Sequence, residues 1–173
     1  MSVLPIRFYP DPVLRQKAKT IEKLDSGIIT LVQDMFDTLH QASGLGLAAN
    51  QVGALKRVFV VDLSKIIPSS KPLVFVNPIL LESEGQQIGE EGCLSIPGIY
   101  ENVPRYKNVK FSAQDLSGRE FSLDASDLLA RVLQHELDHI NGTLFIDHLS
   151  QVVRNGLASK LNNLQPLSVR GAF

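Results

Sequence analysis

His135-Glu136-Leu137-Asp138-His139 places two imidazoles four residues apart, with a carboxylate directly after the first. On a helix, residues i and i+4 share a face, so both rings can turn a nitrogen toward one divalent ion. Two histidines fill two corners of a tetrahedral ion, and Glu136 is placed to move a proton for a bound water rather than to bind the ion itself. The third ligand decides the chemistry. Cys93 is the better candidate, because a thiolate binds zinc or ferrous iron strongly and Gly92 before it permits close backbone approach. Glu91-Gly92-Cys93-Leu94-Ser95 reads as a polar, turn-like segment rather than the centre of a core strand. The bland alternative is a surface helix with two solvated histidines, which the apolar neighbours Leu129, Val132, Leu133, Leu137 and Ile140 oppose.

Several zinc proteases extend this string to a third histidine, but here Phe145 holds that position and His148 comes three residues later. His148 is expected at the surface or behind the site, and His40 is read as structural. Asp138 points away from the histidine pair, where it either holds Arg105 or another cation, or is a solvated surface acid.

These groups need a scaffold. The helix that carries the histidines is expected to start at Asp124 or Ser126 and to end where Asn141-Gly142 allows a left-handed exit. Leu129, Leu133, Leu137 and Ile140 should pack on a sheet, while Leu128 and Val132 precede the histidines on the ligand side as an apolar pocket wall. Ile28, Leu31, Val32, Met35, Phe36 and Leu39 follow helical spacing and predict an amphipathic helix from 28 to 39. The small residues of Gly44-Leu45-Gly46-Leu47-Ala48-Ala49-Asn50-Gln51 end that helix and let backbone pass close to another element or a ligand. Arg57 to Leu63 and Leu73 to Leu81 read as strands joined by a loop through Pro68-Ser69-Ser70. Val109, Phe111 and Ala113, followed by Phe121 and Leu123 across Leu116-Ser117-Gly118-Arg119, predict a hairpin. A short helix is expected after Pro12, and a last helix uses Val153, Leu157, Leu161 and Leu164 despite Gly156. The order of elements predicts an α+β fold, with antiparallel sheets packed around the central helix that bears the histidines. Residues 1–173 are expected to form one domain, with 149–173 as a helical tail.

Composition narrows the function classes. With 44% hydrophobic and 20% charged residues in 173, the chain can bury one proper core. A net charge of -1 provides no bulk basic field, so direct nucleic-acid binding is not expected. A single cysteine excludes an internal disulfide and fits a reducing compartment. The N-terminus lacks a basic segment followed by an apolar run, and no stretch reaches the ~20 apolar residues of a membrane span. A soluble, unprocessed cytoplasmic protein is the expectation.

Glu91-Gly92-Cys93-Leu94-Ser95, His135-Glu136-Leu137-Asp138-His139 and Gly44-Leu45-Gly46-Leu47-Ala48-Ala49-Asn50-Gln51 together resemble the three signature motifs of peptide deformylases, in matching order and spacing. The resemblance runs from about Pro10-Asp11-Pro12-Val13-Leu14 to Leu149. It implies a metal-dependent amidohydrolase that removes the N-terminal formyl group from formyl-methionine of nascent bacterial or organellar polypeptides and releases formate. By the family pattern Cys93, His135 and His139 bind the metal, ferrous iron in the cell, with Zn²⁺, Ni²⁺ or Co²⁺ able to substitute. Glu136 acts as general acid and base; Gln51 through its side-chain amide and Leu94 through its backbone N–H donate to the developing oxyanion. Gln51 read by itself has a second role open to it, that of bracing a loop. Gly44 and Gly46 are expected to let the peptide pair along the loop edge, and Leu128 and Val132 to receive the methionine side chain. The implied partners are nascent formyl-methionyl chains at the ribosome, and the implied state is a monomer in a bacterial-type cytoplasm. One departure stands at Gly98-Ile99-Tyr100, where many deformylases carry an arginine in place of Tyr100. Two other readings remain beside this one: a metallopeptidase, and a closed structural metal site with His148 as a fourth ligand.

Overall fold

The helix expected from residue 28 runs from Ser26 to Ala42 as α1, and its N-terminus is capped by Asp25, whose carboxylate accepts the Ile28 N–H at 3.1 Å. Ile28, Val32, Met35 and Leu39 are buried, as their spacing predicts. Ser43 ends the helix in the left-handed region, and the small-residue segment then becomes the short strand β1 (Gly46–Ala48) and a 3-10 turn over Ala49–Val52. The expected strands follow as β2 (Val58–Val61) and β3 (Leu73–Glu84), the second three residues longer than its apolar run.

Two strands were not expected. Gln87–Cys93 forms β4 and Ile96–Arg105 forms β5, paired antiparallel from Gln87↔Arg105 to Cys93↔Ile96. Glycines, glutamates and prolines give these segments weak strand propensity, and pairing and packing override it. Glu91-Gly92-Cys93 is therefore the end of a strand, and only Leu94-Ser95 makes the turn. The predicted hairpin is present as β6 (Asn108–Gln114) and β7 (Glu120–Ser126).

The histidine-bearing helix, α2, spans Asp127–Ile140, with Ser126 at the N-cap position but without a side-chain capping bond. Its exit needs Gly142: φ is +79°, and a Cβ there would stand 2.5 Å from the Arg15 carbonyl oxygen. A last helix, α3, covers Gln151–Asn162, with Leu157 and Leu161 buried and Leu164 beyond its end. The computed structural model of the chain describes residues 2–164, so the remainder of the expected tail lies outside the described residues. The short helix after Pro12 is a 3-10 turn, Pro12–Arg15.

β1-β2-β3-β6-β7 form one five-stranded sheet, antiparallel throughout, and β4-β5 form a separate pair. Alternation along β2 explains the layers. Val58 and Val60 face α1 with Val32, Met35 and Leu39, while Phe59 and Val61 face α2 with Ala130, Leu133 and Ile140. Leu129 and Leu137 are only partly buried against this second cluster. The β4-β5 pair packs with Phe145, Ile146 and α3 through Ile96, Ile99 and Val103. α2 is thus the central helix of an α+β fold.

Candidate metal centre

Successive turns of α2 bring His135 and His139 onto one face, with Nε2 atoms 3.2 Å apart. Cys93, at the end of β4, brings its Sγ to 3.2 Å from His139 Nε2. All three ligand atoms lie within 4.8 Å of one another. A tetrahedral ion with metal–nitrogen bonds of ~2.0–2.1 Å and a metal–sulfur bond of ~2.3 Å requires ligand–ligand edges of about 3.3–3.6 Å. Two of the three edges, at 3.2 Å, come close to that requirement, so the donor set suits a divalent ion. His139 is buried beside His135, which holds its pKa well below the ordinary value and leaves a neutral ring ready to coordinate. The pKa of His135 is raised despite its burial, by its hydrogen bonds with Cys93 and Glu91 and by the charge on Cys93.

Glu136 follows His135 on α2 and is 3% exposed, and its Oε2 has no hydrogen-bond partner. Burial pushes its pKa up to about 7, a value suited to taking and returning a proton near neutrality. The backbone of β1 passes so close that a Cβ on Gly46 would lie 2.4 Å from Glu136 Oε1. Gln51 comes from the 3-10 turn after β1. Its Oε1 accepts the Ala48 N–H at 2.9 Å, which directs Nε2 toward Ser95 Oγ at 3.2 Å and Cys93 Sγ at 3.5 Å. Loop bracing and an amide aimed at the site are thus two ends of one side chain.

Glu91, whose role sequence reasoning missed, organises the rear of the centre. Its Oε2 pairs with His135 Nδ1 at 2.9 Å and accepts Arg105 Nη2 at 3.0 Å, while Oε1 accepts Arg105 Nε at 2.9 Å and Arg131 Nη1 at 2.7 Å. Burial would raise its pKa, but the hydrogen bonds from His135 and Arg105, with their charges, hold it down to about 2. Such a carboxylate fixes the orientation of a ligating imidazole. Asp138 does hold Arg105, at 2.5 Å, and lies 2.7 Å from His148 Nε2, so His148 stands behind the site. Phe145 lies nearly parallel to His135, with ring centroids 6.2 Å apart, as an apolar backing. His40 pairs with Asp62 at 2.7 Å near the C-terminal end of α1. Arg131 was also missed, although a lone cation one turn before His135 in an apolar stretch is a visible signal.

In front of Cys93 and the two histidines opens a cavity of about 410 Å³. Gly44, Gly46, Leu94, Leu128 and Val132, all singled out from sequence, line it together with Tyr100, whose ring lies against Gly92.

The family described as polypeptide deformylase matches residues 3–155. This chain belongs to that family. It is 49% identical over 151 residues to the peptide deformylase of Clostridium botulinum (strain Alaska E43 / Type E3), covering 87% of this chain and 99% of that one. It is 47% identical over 172 residues to the peptide deformylase of Cellvibrio japonicus (strain Ueda107), covering 98% and 100%. The fold matches a crystal structure of a peptide deformylase from Legionella pneumophila with a TM-score of 0.90 and 41% identity, over 99% of this chain and 100% of that one. A peptide deformylase from Synechococcus elongatus, solved in complex with actinonin, matches with a TM-score of 0.86 and 38% identity, over 95% and 92%. As a deformylase the chain is a hydrolase, and its reaction is removal of an N-terminal formyl group. Among the described residues no helix is long and apolar enough to cross a membrane.

Proposed function

We propose that the cavity hydrolyses the formamide of formyl-methionyl peptides at a divalent ion that Cys93, His135 and His139 would hold. The observation that carries this reading is the pair of 3.2 Å separations, Cys93 Sγ to His139 Nε2 and His139 Nε2 to His135 Nε2, beside an unpartnered Glu136 Oε2. An ion bound there supplies Lewis acidity, which brings the pKa of a water from near 15.7 to about 7.

The chain's own groups do the rest. Glu136 takes the proton of the attacking water and returns it to the α-amine as the C–N bond breaks, and its raised pKa keeps both transfers accessible near neutral pH. Between these two transfers, on attack by the water, negative charge collects on the formyl oxygen. Gln51 Nε2 and the Leu94 N–H donate to it, and loss of one such donor costs about 3 kcal/mol of barrier. β1 is an edge strand of its sheet, so an extended peptide can pair along Gly44-Leu45-Gly46 as an added strand. The methionine side chain enters against Leu128 and Val132.

By the family pattern the ion in the cell is ferrous iron, which Zn²⁺, Ni²⁺ or Co²⁺ can replace. The substrates are formylated nascent chains met at the ribosome, and residues 1–173 act as one domain, a monomer in a bacterial-type cytoplasm. A closed structural site is disfavoured because His148, the one spare histidine near α2, is engaged with Asp138. Assay of formyl-Met-Ala-Ser decides the matter: formate should appear in step with free amine and stop when a chelator strips the protein. Cleavage of an internal peptide bond without formate would instead establish a metallopeptidase.

A further inference from the structure

Arg131 lies one turn before His135 on α2 and is 7% exposed. Its Nη1 donates to three acceptors: Glu91 Oε1 at 2.7 Å, the Val103 carbonyl of β5 at 2.9 Å and the Gly89 carbonyl of β4 at 3.2 Å. Gly89 gives this grip room: a Cβ there would stand 3.1 Å from Nη2 and 3.3 Å from Cζ, so the guanidinium would have to shift by a few tenths of an ångström.

Cys93 belongs to the β4-β5 pair and the two histidines belong to α2, so the sulfur-to-imidazole spacing is a distance between elements far apart in sequence. Besides the His135–Glu91 bond and the 2.9 Å bond from Gln87 Nε2 of β4 to the Asp127 carbonyl of α2, side chains hold that distance at three places. Gln134 exchanges bonds of 2.9 and 3.0 Å with the Tyr106 backbone, Arg105 binds Asp138 at 2.5 Å, and Arg131 makes its triple contact. Arg105, on β5, also joins Glu91 of β4 to Asp138 of α2, but of the three only Arg131 reaches from the helix to both strands and to the carboxylate that orients His135. Arg105 holds Glu91 from within its own sheet, whereas Arg131 holds it from the helix.

The side chain also carries a cost. Nη2 is buried without a hydrogen-bond partner, and a buried unpaired donor opposes stability. A methionine would fill similar space without that cost, so what arginine adds is the grip. A lysine ammonium is a point donor on a flexible stem and does not reproduce the planar fork.

We infer that Arg131 is a positioning residue that pre-organises the metal centre, locking the β4-β5 pair and Glu91 against α2 so that Cys93, His135 and His139 stand at coordinating separation before an ion arrives. This rests on the assignment of those three residues as ligands. The effect is on the protein's affinity for the ion and on the geometry offered to it, and through these on turnover.

The test uses the full chain, R131M and R131K, each stripped of metal and reloaded. Zinc affinity is read by competition with a chromophoric chelator, ligand geometry by the thiolate-to-cobalt and d–d absorption of the Co²⁺ form, and folding by the melting temperature of the metal-free protein. R131M should bind zinc about 10–100-fold more weakly, the range typical for loss of a group that supports a ligand. Its cobalt bands should shift, kcat should fall by a larger factor than KM rises, and R131K should recover part of each change. A folded R131M with wild-type zinc affinity and cobalt spectrum would overturn the inference, even with a lowered melting temperature. If R131M does not fold, R131K decides on the same two readouts, and no change in either refutes it. Absence of thiolate-to-cobalt absorption in the wild-type protein would instead remove the ligand assignment, and this inference with it.

Discussion

Gly46→Ala tests the placement of Glu136 with a single methyl group. The added Cβ would stand 2.4 Å from Glu136 Oε1 and 2.8 Å from Cδ and Cγ, where ordinary contact begins at 3.4 Å. Something must therefore move by about 1 Å. β1 is held by its register with β2, Gly46↔Val61 through Ala48↔Phe59, and by the Asp62 N–H that donates to the Leu45 carbonyl at 2.9 Å. The carboxylate is the looser partner, since its Oε2 has no hydrogen bond to break. A misplacement of ~1 Å in a catalytic group costs roughly 10²-fold in rate, or about 2.7 kcal/mol of barrier. Overpacking adds about 1–3 kcal/mol of destabilisation.

Formate release by G46A should accordingly fall about a hundredfold in kcat/KM while bound metal, measured on the same sample, stays stoichiometric. The same methyl group placed in an E136A background meets no carboxylate, so its effect on melting temperature should largely vanish there. Wild-type kcat/KM in G46A, or an equal drop in melting temperature in both backgrounds, would refute the proposed contact.

Gln51→Leu should reduce kcat by about 10²–10³-fold with little change in metal content, because on the proposed mechanism it removes an oxyanion donor and no ligand; metal loss as the main effect would contradict that role. Iron-loaded protein should lose activity in air faster than the Ni²⁺ or Co²⁺ forms, because a thiolate at ferrous iron is open to oxidation; equal decay of all forms would count against it. Asp115 in the β6-β7 turn accepts from Ser117 and Arg119, which hold its carboxyl below 3.8, at about 2. A pKa lowered by folding stabilises above the unfolded value, so this contribution is present above pH 3.8 and fades as pH falls toward 2. The gap in urea midpoint between wild type and D115N should therefore be widest at pH 5 and above and should narrow on acidification. A gap that is constant with pH would argue against the charge.

Much of the scaffold is legible from local pattern. α1, α2 and the β6-β7 hairpin follow from periodicity and turn chemistry, because apolar residues at helical or alternating spacing bury a face only in those conformations. β4 and β5 are not legible in this way, since Gly89, Gly92, Pro97 and Pro104 oppose a strand reading and the pairing partner lies outside any local window. Glu91 and Arg131 escaped notice for a related reason. A buried ion pair is a relation between elements: Glu91 carries no periodic signal of its own, and the one Arg131 carries, a cation in an apolar helical stretch, does not name its partner.

The sequence by itself determined that two imidazoles share a helix face with a carboxylate beside them, because the pitch of an α-helix brings i and i+4 together whatever surrounds it. It also determined the family, through three motifs in order. Only the tertiary structure decided that Cys93 Sγ stands 3.2 Å from His139, that Glu91 orients His135 between two guanidinium groups, and that Gly46 leaves room for Glu136. Those distances join β1, β4 and α2, elements remote along the chain, and they are set by how sheet and helix pack rather than by any local preference of the backbone.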